Sequence, residues 1–228
     1  MMSFAEIAAL TIHDVKNSLA QLAGQAEARG DIATLRTAMD ASAALTRLLV
    51  LYKTETSILL LAVDAHSPAD LVLDLLSEYT GEYANEYANE YANEGMNKRA
   101  SATLTQNHIK MDAAISSAPT LCFYDATLVR MILSNALQNA LRYARHKITF
   151  SALAVGAYLE FRVQDDGAGY PDSVLVDTGA TAAITAEGTG LGLRLAKKVA
   201  TLHTNAGLCG DVALANEPGA VFILRLPL

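Results

Sequence analysis

Two long stretches of helical periodicity constrain this chain more than any other feature. From residue 1 to 28, apolar side chains recur at helical spacing (Phe4, Ile7, Leu10, Val15, Leu19, Leu22, Ala26), with no proline and no glycine before Gly24. Gly30 and Asp31 supply a turn. The pattern then resumes through Ile32, Leu35, Met39, Ala43, Leu45, Leu48, Leu49, Tyr52, Ile58 and Leu59. Two helices joined this tightly form an antiparallel hairpin whose apolar stripe is too wide to bury on itself. Two copies forming a four-helix bundle are the economical solution, so a homodimer is expected. Window 45–63 is the most hydrophobic, but Arg47, Lys53 and Glu55 break it. A membrane span needs about 20 apolar residues, so this window is read as a buried bundle helix and no membrane span is expected.

Ser67-Pro68 marks a boundary, because serine caps helix starts and proline suits a first helical turn. The expected division is a helical hairpin over 1–62 and a second domain over 67–228. Beyond the boundary, 108–113 and 120–124 read as short strands and 125–144 as a helix. Residues 147–154 and 157–164 read as a hairpin turning at Val155-Gly156, and 190–203 as a helix. A last strand pair, 207–215 and 220–226, turns at Asn216-Glu217-Pro218-Gly219. The fold class is therefore α+β, a sheet with its helices on one face.

Tyr-Ala-Asn-Glu occurs three times in tandem over 82–94, which would align Tyr83, Tyr87 and Tyr91 along one side of a helix. Two readings stand, an aromatic docking ridge or a duplicated piece of surface helix, and the second is favoured. Three such short repeats cannot make a solenoid.

A net charge of -7 argues against a nucleic-acid partner, since phosphate-backbone binders carry a basic face. Cys122 and Cys209 stand far apart with no metal-ligand spacing, and both are read as small core residues. No export signal is visible at the N-terminus, which makes the cytoplasm the expected location.

Three segments point to a nucleotide. Asn135 and Asn139 lie four apart with Arg142 and Tyr143 following, so two amides and a cation share one face of an apolar helix. An amide oxygen suits Mg²⁺ and a guanidinium suits phosphate. In Val163-Gln-Asp165-Asp166-Gly167-Ala-Gly169-Tyr-Pro171, glycines at a strand end let the main chain approach a ligand closely, and a carboxylate there can accept from an exocyclic amine. Gly188-Thr189-Gly190-Leu191-Gly192 opens a helix, where backbone N–H groups and the helix dipole favour phosphate.

In this order, these segments and the ending 217–227 resemble the asparagine box, the two glycine boxes and the last strand of the GHKL ATPase superfamily, specifically its histidine kinases. The resemblance covers roughly residues 68–228. It implies a Bergerat-type α/β sandwich binding ATP and Mg²⁺, with Asn139 on the metal and Asp165 on adenine. The backbone of 188–192 and Arg142 would hold the phosphates; Asn135, Tyr143, Gly167 and Gly169 fall within the same boxes. His13-Asp14-Val-Lys16-Asn17 in the first helix then resembles the same family's histidine box. His13 becomes the expected phosphoacceptor, Asp14 the base that takes the other ring proton, and Asn17 the residue that positions water for dephosphorylating a partner.

The resemblance further implies a response-regulator receiver domain as acceptor. With only twelve residues ahead of His13, the input is expected from a separate sensor protein or from more of a longer chain. Segment 172–187, the expected ATP lid, contains no Phe, Trp or Lys, which puts the rate of autophosphorylation in question. Two alternatives stay open. One is a phosphotransfer relay with a vestigial nucleotide domain, and the other a non-catalytic ATP-binding regulatory module. Serine kinases of the anti-sigma type share the nucleotide fold but lack the hairpin of residues 1–62.

Overall fold

The computed structural model describes residues 4–56, 58–80, 103–106, 109–175 and 190–228. The chain divides into two compact units, Met1–Leu59 and Leu60–Leu228. No helix among the described residues is long and apolar enough to cross a membrane.

The first unit consists of α1 (Phe4–Arg29) and α2 (Ile32–Glu55), packed against each other along their length. Gly30 takes a left-handed φ of 67°, which a residue without a side chain adopts freely, and the Asp31 carboxylate caps α2 by accepting from the Thr34 N–H at 3.1 Å. The second helix ends earlier than its periodicity predicts. Thr54 and Thr56 give their hydroxyls to the carbonyls of Leu51 and Tyr52, and the N–H groups of Ile58 and Leu59 both turn back onto the Lys53 carbonyl. Local hydrogen bonds thus outcompete helix propagation. Nor is window 45–63 a buried helix in the single chain. Of its helical part only Leu51 is buried, because two helices alone offer no second layer, and Leu48 stays 41% exposed.

The second unit is built on a six-stranded mixed sheet in the order β2-β3-β5-β6-β10-β9. Its strands are β2 (Thr103–Gln106), β3 (Ile109–Ala114), β5 (Lys147–Val155), β6 (Tyr158–Asp165), β9 (Asp211–Asn216) and β10 (Ala220–Pro227). Only β3 and β5 run parallel; the remaining neighbours are antiparallel. The alternation expected of a half-buried sheet is clear in β5, where Ile148, Phe150 and Ala152 point inward. In register beside them stand Asp165, Val163 and Phe161 of β6, then Phe222 and Leu224 of β10.

Three helices cover this inner face: α3 (Pro68–Thr80), α4 (Ala126–Tyr143) and, after the four-residue α5 (Asp172–Leu175), α6 (Leu191–Leu202). Leu75, Leu76, Leu133, Leu137, Leu195, Phe150 and Phe161 are fully buried between the layers, each contributing about 2 kcal/mol. Tyr124 stacks edge-on against Phe161 at 5.9 Å. Arg130 of α4 bridges to Asp74 and Glu78 of α3.

Two strand expectations and one burial expectation need correction. Expected strand 120–124 shortens to β4 (Cys122–Tyr124), which leaves the main sheet to pair with β1 (Asp64–His66). Expected strand 207–215 is broken at Gly210 into β8 (Leu208–Cys209), which pairs with β7 (Thr204–Asn205), and β9. At the break the Gly210 N–H turns to the His203 carbonyl at 2.9 Å, at a position that admits no side chain. Gly210 is wedged so closely against the Ala200 carbonyl that a Cβ there would also stand 2.7 Å from the Arg225 carbonyl oxygen. Cys122 is buried as expected but Cys209 is exposed, because it sits in that two-residue edge ladder instead of a core strand. The tyrosine repeat of 82–94 lies outside the described residues.

Candidate functional site

Helix α4 carries the first group of candidates. Its buried face is Val129, Ile132, Leu133, Ala136, Leu137 and Ala140, which turns Asn135, Asn139 and Arg142, spaced at i, i+4 and i+7, to the opposite side. Asn135 is half-buried, whereas Asn139, Arg142 and Tyr143 are exposed. The half-burial has a specific neighbour. Gly192 at the start of α6 lies against the Asn135 side-chain amide so closely that any Cβ there would collide with it. The asparagine segment and the last glycine segment, far apart in sequence, are thus in contact.

Gly190 caps α6 with a left-handed φ of 63° and, as a glycine, has no side chain to bond the first-turn N–H groups. The N–H groups of Leu191 and Gly192 therefore stand without a side-chain cap where a helix dipole is most positive. Gly188, Thr189 and the greater part of the expected lid, 176–187, lie outside the described residues.

The strand-end turn forms the second group. Asp165 is buried, and its Oδ1 accepts from the N–H of Gly167 at 2.7 Å and of Ala220 at 3.3 Å. No donor reaches Oδ2 among the described residues, leaving a buried carboxylate oxygen with an unmet acceptor. Gly167 is obligatory because a Cβ would collide with the Tyr143 carbonyl and stand 2.8 Å from Asp165 Oδ1. Gly169 combines a φ of 84° with a site where a Cβ would lie 2.7 Å from Asn216 Oδ1. Burial, and then the charge of Asp165, push the Tyr170 phenol well above its ordinary value.

Two residues that position this turn had no functional signal in the sequence. Asp166, inside the glycine segment, accepts from the backbone N–H groups of Arg145 and His146 at 2.8 and 3.0 Å, tying the exit of α4 to the end of β6. Burial works against its charge, but the N–H groups of His146, Lys147 and Arg145 outweigh it and bring the carboxyl down to about 2. Asn216, legible only as a turn residue, bonds the Tyr170 backbone both ways, accepting at 2.7 Å and donating at 3.0 Å. A turn-forming Asn is common enough that only its partner reveals the role.

In the first unit, His13 and Asp14 are exposed on α1, with side-chain exposures of 70% and 82%. Asn17 is one turn on, and its amide meets His13 Nδ1 at 3.2 Å, while Asp14 Oδ1 stands 3.9 Å from the same atom. Asn17, not Asp14, is therefore the hydrogen-bonding neighbour of the ring. With the amide nitrogen toward Nδ1, the neutral ring keeps its proton on Nε2; with the amide oxygen there, the proton sits on Nδ1 and Nε2 holds a free lone pair.

Comparisons with known proteins bear on the second unit most. Residues 124–228 match the family described as histidine kinase-, DNA gyrase B-, and HSP90-like ATPase. The chain is 32% identical over 111 residues to the signal transduction histidine-protein kinase AfsQ2 of Streptomyces coelicolor, covering 45% of this chain and 20% of that protein. It is 31% identical over 114 residues to the sensor histidine kinase RcsC of Escherichia coli, covering 46% of this chain and 12% of that one. The match thus spans a fifth or less of these relatives.

Among solved structures, full-length ShkA in complex with AMPPNP superposes with a TM-score of 0.65 at 20% identity, over 99% of this chain and 46% of that one. The Acinetobacter baumannii histidine kinase AdeS does so with a TM-score of 0.55 at 16% identity, over 93% and 94%. These two likenesses concern the fold.

Proposed function

We propose, for a chain whose residues 124–228 are a histidine-kinase-type ATPase domain, that it works as an ATP-dependent protein-histidine kinase phosphorylated on His13. What supports this reading is a cluster of nucleotide-binding candidates in the second unit and an exposed imidazole on the first. Asp165 offers a buried oxygen that no donor among the described residues reaches, the Gly192 backbone sits against Asn135, and a separate helix presents His13 with an amide one turn away.

In this reading Asp165 Oδ2 accepts from the adenine amine, and Gly167 and Gly169 keep the pocket floor free of side chains. Phosphate oxygens meet the first-turn N–H groups of α6 and the Arg142 guanidinium. Mg²⁺ fits the donor set: the exposed Asn139 amide oxygen lies one turn from the Asn135–Gly192 contact, and Mg²⁺ takes few protein oxygens, keeping waters and phosphate as its other ligands. When bound, Mg²⁺ supplies charge neutralisation on the phosphate chain.

The imidazole lone pair attacks the γ-phosphorus, the bond to the bridging oxygen breaks, and ADP leaves. Attack from Nε2 requires the proton on Nδ1, whose N–H donates a hydrogen bond to the Asn17 carbonyl once that amide is turned; the nearby Asp14 carboxylate favours the imidazolium that forms and can take up its Nδ1 proton. The phosphoryl group then passes to an Asp of a response-regulator receiver domain. Asn17 is placed to orient a water for the reverse, phosphatase reaction.

Val15, Leu22, Met39 and Leu48 remain at least 41% exposed on the helix pair, which supports a homodimeric four-helix bundle as the working form. The division into a phosphoacceptor hairpin over 1–62 and an ATP-binding domain over 67–228 belongs to the same proposal, with input from a separate sensor. The test is incubation with γ-labelled ATP and Mg²⁺ beside an ATP-binding titration. Label that survives base but not acid, and vanishes in His13→Ala, is the expected result. ATP binding with no label favours the regulatory module, and no binding favours the relay.

A further inference from the structure

Away from the nucleotide candidates, one buried aspartate, through its carboxylate and its backbone N–H, ties together three parts of the second unit. Asp125, just before α4, is 5% exposed. Its Oδ1 caps α4 by accepting from the Leu128 N–H at 3.0 Å, and its Oδ2 accepts from the Ala62 N–H at 2.9 Å. Its own N–H donates to His203 Nε2 at 3.1 Å. His203 is equally buried at the end of α6, where Nδ1 meets the Val199 carbonyl at 2.9 Å. Because Nε2 accepts, Nδ1 carries the proton and donates, so a neutral ring satisfies both bonds.

Both helices that bear nucleotide candidates are thereby joined at their far ends, α4 at its start and α6 at its finish. Asp125 is about 20 Å along α4 from Asn139, at 1.5 Å per residue, so it touches no nucleotide group.

The third part is the stretch by which the chain enters this unit. In the first unit, the Leu59 N–H is bonded to the Lys53 carbonyl at 3.2 Å. In the second, Ala62 is bonded to Asp125. Only Leu60 and Leu61 lie between these two fixed points, and Leu60 is 88% exposed.

We propose that Asp125, supported by His203, is a positioning residue for phosphoryl transfer: it pins Ala62 to both nucleotide-bearing helices, so that the chain turns between its two units only at Leu60 and Leu61. The physical basis is entropic. Each residue released from a fixed conformation multiplies the accessible arrangements by on the order of tenfold, diluting those that bring a γ-phosphate to His13. This role rests on the kinase reading, whereas the pin itself can be observed without it.

The test uses Asp125→Asn in the full chain, measuring amide exchange at Ala62, ATP affinity and the rate of labelling of His13. Asparagine keeps an oxygen for Leu128 but turns a donor toward Ala62. The expected result is exchange at Ala62 faster by about fivefold, the loss of one hydrogen bond, with slower labelling and ATP affinity within twofold. His203→Gln, which retains an acceptor, should stay near wild type, while His203→Leu should follow Asp125→Asn.

Should Asp125→Asn not fold, two glycines inserted between Leu60 and Leu61 provide the second arm, expected to slow labelling with Ala62 still protected. Unchanged exchange at Ala62, unchanged labelling with Ala62 deprotected, or labelling and affinity falling together would each overturn the proposal. If the wild-type chain takes no label, the kinase reading fails and the role in transfer with it, while protection of Ala62 lost in Asp125→Asn would still establish the pin.

Discussion

The two units hold their polar chemistry in opposite ways. On the helix pair, His13 and Asp14 are mostly exposed, with Asn17 and a more distant carboxylate beside the ring, and Val15 and Leu22 nearby stay more than 40% exposed. In the α/β unit, Asp165 is buried, fixed by two N–H groups, and walled by glycines that tolerate no side chain. The first arrangement suits a group that must be reached by other molecules, and the second one that must hold a small ligand in a fixed pose. Damage to the first should therefore abolish a reaction while leaving the fold alone, and damage to the second should lower affinity and stability together.

The sharpest test of that contrast is His13→Ala. Acid-labile label should disappear entirely, with ATP affinity and melting temperature unchanged; a residual label of more than a few per cent would break the contrast. Next in size is Asp165→Asn, which turns a buried acceptor into a donor at one position. ATP affinity should fall about 10- to 100-fold, the range for losing a hydrogen bond to a charged group, as read by calorimetric titration. Gly167→Ala should destabilise the second unit by about 2 kcal/mol or more in chemical denaturation, since its Cβ meets backbone that cannot move away.

For the helix pair the corresponding change is Met39→Glu. It should shift sedimentation toward monomer without altering the far-ultraviolet helix signal of the second unit, because Met39 is exposed in the single chain.

The smallest expected effect is one of pH. Burial lowers the His203 imidazole below its ordinary value of 6.5, with the Val199 carbonyl and Asp125 opposing in part. The unfolded chain therefore takes up a proton before the folded one does, so the stabilisation is complete above pH 6.5 and is lost as pH falls from there toward the lowered value. Asp166, at about 2, stays ionised across that interval and contributes no slope. Melting of the second unit should decline from pH 7 to pH 5, and His203→Gln should flatten that decline.

Much of the α/β unit was legible because its elements are periodic and their ends carry chemical marks. Helix α4 and the β5–β6 hairpin lie within a residue or two of their sequence-derived bounds, and the asparagine and glycine segments could be ordered along the chain before any contact was known. Legibility failed where a non-local partner decided the outcome. The Gly210 N–H turns to the His203 carbonyl where one expected strand breaks into two, and pairing with β1 drew β4 out of the main sheet, whereas α2 stopped short of Leu59 for a local reason, its terminal threonines. Asp166, Asn216, Asp125 and His203 carry no local signature at all, since a carboxylate capping a helix from its own segment reads the same as one that also catches Ala62.

By itself, the sequence determined which residue types were available and with what period: an apolar stripe along two helices, amides spaced four apart, and glycines where a side chain could not be tolerated. Only the tertiary structure decided that Gly192 lies against Asn135, that one oxygen of Asp165 is reached by no donor among the described residues, and that His203 supports Asp125. The reason is range. Periodicity and turn chemistry act over a few residues, whereas contacts between segments tens of residues apart arise only when burial of the sheet's inner face brings those segments together.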